Sequence, residues 1–135
     1  MVALTAPRVV SEKAGVTSTA PVAADVVIYG GAVTVSEGGL AKPGKTGLGL
    51  IVLGIADATA DNAGGADGAI NITTRRGTFR LFNLATDAVT AADIGKPCFL
   101  VDDQTVAKTH GGNTRSQAGA VIDLDAQGVW VRLGF

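Results

Sequence analysis

The sequence predicts an all-β fold: a small, glycine-rich β-barrel or sandwich-like domain over residues 23–135, preceded by an extended N-terminal arm over residues 1–22. Three observations predict it. In the last third, Ala120, Ile122 and Leu124 alternate with Val121, Asp123 and Asp125, and Val129, Val131 and Leu133 then alternate with Trp130 and Arg132. That is period two, the mark of strands with one buried face. The chain also carries 19 glycines in 135 residues, with Val, Ile and Thr frequent and Glu, Lys, Leu and Met sparse, which is the composition of a turn-rich β protein. Finally, helical patterning is confined to one place: at most one short helix is expected, near 87–95.

The elements follow in order. Residues 1–22 show no sustained period; Pro7, Arg8, Val9 and Val10 are extended in character, and residues 15–21 are small and polar. Pro7, Arg8, Val9 and Val10 are the candidate contacts to another subunit or to a larger surface. Residues 25–29 read as a strand, Gly30-Gly31 as a turn, residues 32–35 as a second strand, and residues 36–39 as its close. Residues 48–56 form the most apolar run, expected to be a strand buried on both faces. Residues 57–68 read as an exposed loop. Residues 69–74 and 78–81 both alternate, as a hairpin or as one long strand bent at Gly77. Thr90 and Asp93 have capping-box spacing, with Asp in place of the usual Glu. Residues 98–101 are a short strand whose partner is Thr105-Val106-Ala107. Asp125-Ala126-Gln127-Gly128 reads as a hairpin turn with Gly128 at positive φ.

Composition narrows the function. The formal net charge is −1, with basic and acidic residues scattered, and the aromatics are one Trp, one Tyr and four Phe. A nucleic-acid binder concentrates basic residues and interleaves aromatics, so no nucleic-acid partner is expected. Residues 48–56 are too short to span a bilayer and no secretory leader is seen, so no membrane partner is expected either. One cysteine excludes an intramolecular disulfide, and one histidine excludes a Cys/His metal cluster. Apolar residues make up 47% and charged residues 17%. That surplus points to burial between subunits.

The motifs that could carry chemistry are weak. Gly39-Leu40-Ala41-Lys42-Pro43-Gly44-Lys45-Thr46 matches the phosphate-loop pattern G-x-x-x-x-G-K-[ST]. That loop works only when a helix starts at the Lys and Thr, so that backbone N–H groups face the phosphates. Here two glycines and β-formers follow, so the stretch is expected to be an exposed connection between strands that binds no nucleotide. Cys98 sits in an apolar strand, as packing would place it, and His110 in a glycine loop without an evident partner. Asp102-Asp103 and the Asp123, Asp125 pair are expected to face water at strand ends, and Arg75-Arg76 to form a local positive spot. No catalytic residue, cofactor or metal is assigned, and the chain is not expected to be an enzyme.

From Asp67-Gly68 to Leu133 the chain resembles the capsid cement or head-decoration proteins of tailed phages. The residues that carry the resemblance are Arg76-Gly77-Thr78-Phe79-Arg80, Thr90-Ala91-Ala92-Asp93-Ile94-Gly95-Lys96-Pro97-Cys98 and Val101-Asp102-Asp103-Gln104-Thr105-Val106-Ala107-Lys108-Thr109. Thr114-Arg115-Ser116, Ala118-Gly119 and the 125–131 hairpin complete it. Residues 30–33 and 52–56 extend it more loosely. The resemblance implies a structural virion protein on the outer surface of the capsid, with the major capsid protein as its partner and a homotrimer as its working state. The alternative is a β-barrel structural module of a phage tail or baseplate.

Overall fold

In a computed structural model, residues 2–10 and 15–134 are described; residues 1, 11–14 and 135, five of which fall within the 1–22 segment, lie outside them. The fold is all-β, with two sheets and a closed barrel of five strands. Twelve strands are described: β1 (Thr17–Pro21), β2 (Val27–Ile28), β3 (Val33–Glu37), β4 (Leu40–Pro43), β5 (Ile51–Ala56), β6 (Ala60–Asp61), β7 (Asn71–Arg75), β8 (Gly77–Asn83), β9 (Pro97–Leu100), β10 (Thr105–Ala107), β11 (Gln117–Asp125) and β12 (Gly128–Leu133). The first half forms a five-stranded sheet in the order β1-β7-β5-β3-β4, with β2 and β6 paired separately. The second half closes as β10-β8-β12-β11-β9, antiparallel except where β10 runs parallel to β8.

Two hydrophobic cores result. One fills the barrel with Leu81, Cys98, Leu100, Val106, Val121, Val129, Val131 and Leu133 and reaches across to Val33, Val35, Leu50 and Ile55 of the sheet side. The other gathers Val22, Ile28, Ala32, Ala41, Ala56, Ala60 and Ile72. β3 and β5 are the shared wall, and Val33, Thr34 and Val35 are all fully buried. The strand buried on both faces is therefore β3. The 48–56 run instead is mixed: Leu48 and Ile51 are open to solvent, Leu50 between them is buried in the first core, and continuous burial begins only at Gly54–Ala56. Its apolar character reflects a half-covered edge as well as a core.

Several local expectations change for physical reasons. Residues 17–22 belong to the sheet: Thr17–Pro21 pair with Asn71–Arg75, and Val22 is fully buried. β7 and β8 do not pair with each other; they form one extended run that leaves the sheet at Arg76 and enters the barrel at Gly77. The 57–68 loop is partly structural. Ala60 is buried opposite Ile28, and the buried Asn62 donates from Nδ2 to the carbonyls of Ala23 (2.8 Å), Ala66 (3.0 Å) and Val22 (3.4 Å). Helical structure consists of two 3-10 turns, Ala85–Asp87 and Ala91–Asp93, the second with a Thr90/Asp93 capping box. Within β11 a bulge leaves Ile122 unpaired and half-exposed, so Val121 and Leu124 stand opposite Val131 and Val129. One extra residue shifts the alternation by one place.

Candidate functional site

The phosphate-loop pattern folds as a hairpin rather than as an exposed connection. Gly38 and Gly39 both have positive φ (60° and 86°) and join Glu37 to Leu40 as a two-residue turn. That backbone is the one whose twist matches a tight antiparallel hairpin. Leu40–Pro43 then continue as β4, and Gly44 packs closely on Leu100 and Asp103. Lys45 bridges to Asp102 through the backbone, and the Thr46 hydroxyl donates to the Val101 carbonyl at 2.8 Å. No helix begins at Lys45, so no row of free amides faces a phosphate. The lysines instead pair with a carboxylate, since Nζ of Lys42 (2.6 Å) and of Lys45 (3.1 Å) both reach Glu37 Oε1. Those hydrogen bonds, Lys42 first, hold the Glu37 carboxyl below its ordinary value.

Cys98 and His110 are not brought together. Cys98 points into the barrel, fully buried, with Sγ 3.6 Å from the Gly119 carbonyl. Burial pushes its thiol up to about 12, far from a thiolate at neutral pH. His110 stands against the ring of Phe99, edge-on at 6.0 Å. Phe99 follows Cys98 on the same strand, so the two side chains leave opposite faces. His110 does have a partner, since its Nδ1 accepts the Asn113 amide at 2.6 Å.

The carboxylates are turn-builders. Asp125 Oδ1 accepts the amides of Gln127 and Gly128, while Oδ2 accepts the Trp130 indole N–H at 3.0 Å. Asp102 Oδ1 accepts the Gln104 amide. Asp87 Oδ2 gathers the Thr109 hydroxyl, the Thr109 amide and Arg115. Among the described residues no group of three or more His, Cys, Asp and Glu could hold a metal ion. Arg75 pairs with Asp57 and covers the Phe79 ring at 5.7 Å. Arg76 turns the other way and lines a groove of about 310 Å³ with Ile51, Leu53, Gln117 and Gly134.

Pro7, Arg8, Val9 and Val10 are all exposed, Val9 by 99%, and Val2 and Leu4 nearby are exposed as well. No hydrogen bond or ion pair among the described residues holds residues 2–10 to the folded body. Sequence reasoning missed a second exposed feature. Tyr29 and Phe82 are 65% and 58% exposed, and they border two clefts that share Gly31 and Gln104. The available signal was Phe82, an outward position in the alternation of β8.

No family model matches the chain, and neither does a curated protein or a solved structure.

Proposed function

We propose that the protein is a structural virion protein that binds the outer surface of a phage capsid and stabilises the head, working as a homotrimer that bridges neighbouring copies of the major capsid protein. The observation that carries this reading is the arm. Val2, Leu4, Val9 and Val10 are apolar, exposed and unattached, while the domain behind them has two complete cores. Four apolar side chains left open on a short extended segment match a docking strand better than a solvated tail. The ordered resemblance from Asp67-Gly68 to Leu133 suggests the capsid. The side-chain chemistry is compatible with it, since Cys98, His110 and the Asp87, Asp102 and Asp125 carboxylates are engaged in turns or packing.

Binding the assembled shell but not separated subunits would stabilise the shell by linkage. Several weak contacts on one trimer would reinforce one another through high effective concentration. The test compares heads with and without the protein for the temperature at which they release DNA, alongside its mass in solution by light scattering. Heads that are equally heat-stable without it, or labelled protein found only on tails, overturn the cement reading; the second result favours a tail or baseplate module. Deleting residues 1–10 is expected to leave a folded domain with lower occupancy on heads. Unchanged occupancy removes Pro7, Arg8, Val9 and Val10 from the contact.

A further inference from the structure

We propose that the trough running from Tyr29 across Gly31 and Gln104 to Phe82 and Gln127 binds a neutral oligosaccharide. This goes beyond the capsid reading and does not depend on it. The trough is made of two neighbouring open clefts, about 310 and 390 Å³, that share Gly31 and Gln104 as lining residues. Gly31 has no side chain to divide them. An exposed ring borders each half, Tyr29 one and Phe82 the other. Among the described residues, Tyr29 and Phe82 are the two aromatic side chains more than half exposed, and both lie on this one feature.

The polar groups between the rings narrow the ligand. The side-chain amides of Gln104 and Gln127 make no hydrogen bond among the described residues, although the backbones of both residues are fixed, by Phe82 and by Asp125. Each amide presents a donor pair and an acceptor from a held backbone, the pattern that hydroxyl groups complement. Asp103, which also lines the trough, adds a carboxylate acceptor without a side-chain partner. The single cation at the trough, Arg80, is engaged already: it lies 3.8 Å from Asp125 and over the Trp130 ring at 5.6 Å. With its cation engaged and a free carboxylate present, the trough disfavours phosphate or another anion. An extended peptide would need a free strand edge, yet β8 is paired with β12 on one side and β10 on the other, with the Phe82 amide bound to the Gln104 carbonyl. Flat aromatic faces beside unengaged amides are what remains, and a pyranose offers both an apolar C–H face and hydroxyls.

The test titrates the full isotope-labelled chain with maltohexaose, cellohexaose and chitohexaose, following backbone amides by NMR. A shallow, open site predicts Kd of about 0.1–10 mM for at least one of them. Shifts should centre on Gly31, Phe82, Gln104 and Gln127. Tyr29→Ala and Phe82→Ala should each weaken binding about tenfold. Both side chains are exposed, so unchanged melting temperatures separate lost binding from lost fold. No response to any of the three sugars at about 20 mM, about twice the weakest expected Kd, overturns the proposal, as do shifts that fall outside the trough. Loss of attachment to heads in the two variants, without any saccharide response, also overturns it and assigns the trough to a protein contact.

Discussion

Gly128 lies directly against Leu81: a Cβ on Gly128 would overlap the Leu81 carbonyl oxygen on the neighbouring strand. The glycine is therefore required on two counts: its φ is +156°, as expected of a glycine there, and β12 approaches β8 too closely for a Cβ. The turn itself is made by Ala126 and Gln127, neither of which has positive φ, and it is held by Asp125.

Gly128→Val should therefore destabilise through overlap with backbone, which cannot swing aside as a side chain can. The expected cost is at least about 2 kcal/mol, or a fall in Tm of about 8 °C. Asp57→Ala, which removes only the exposed pair with Arg75, should change Tm far less. Equal effects in thermal melts would show that β12 can move away from β8.

Asn62 is the second sensitive position. Its amide nitrogen faces three carbonyl oxygens, so Asn62→Ala leaves buried acceptors unpaired at a cost of about 1–3 kcal/mol. Asn62→Asp is expected to be worse at pH 7, because a carboxylate would face those oxygens without a proton to donate. Protonation restores a donor, so the gap in denaturant midpoint between the Asn62→Asp variant and wild type should narrow as pH falls towards about 4.

Lys45→Ala should leave the fold intact. The lysine is 46% exposed and shares Glu37 with Lys42, which keeps the shorter contact. A Tm within about 2 °C of wild type is expected for the loss of one exposed ion pair. Calorimetry with ATP and magnesium should show no binding before or after the substitution. Micromolar binding abolished by Lys45→Ala would restore a nucleotide site.

Acid should weaken the fold through three carboxyls held below their ordinary value of 3.8. Asp87 is lowered chiefly by the Thr109 hydroxyl, Asp93 by the Thr90 amide, and Asp125 by the Trp130 indole. A depressed folded pKa means that the unfolded chain takes up protons first as pH falls. The contribution of these groups is present above the unfolded value and is lost as pH drops through the folded ones. Tm should thus hold steady down to about pH 5 and decline below about pH 4. Asp87→Asn should lower Tm at pH 7 and make that decline shallower.

Strands whose residues alternate cleanly between core and solvent were legible from the sequence. Val129, Val131 and Leu133 are fully buried and Arg132 is exposed, and residues 98–101 do turn back into Thr105–Ala107. The capping box was legible because two side chains three apart suffice to define it. β1 was not, since Thr-Ser-Thr-Ala-Pro gains its order from pairing with β7 rather than from its own pattern. β6 lay hidden among turn-forming residues, where the fixing partner is an asparagine. The bulge at Ile122 and the sharing of β3 between two cores depend on tertiary neighbours that local periodicity does not encode. Of the candidate site, the exposed arm was legible as a run without a partner. The aromatic trough was not, because Tyr29 and Phe82 are far apart in sequence.

The placement of β1 determines how load would enter the molecule. The arm leads into a strand that is joined to β7 at five consecutive positions, and the Arg76 amide adds a bond to Val16 at 2.7 Å. The two strands are antiparallel and Thr17 stands opposite Arg75, so the end of β1 that the arm enters is the end at which β7 leaves for the barrel. A pull between arm and barrel would open the ladder from that end inward. β7 continues without interruption into β8 and the barrel. A load on the first residues would therefore meet the Thr17–Arg75 pair and the Val16–Arg76 bond before it reached either core.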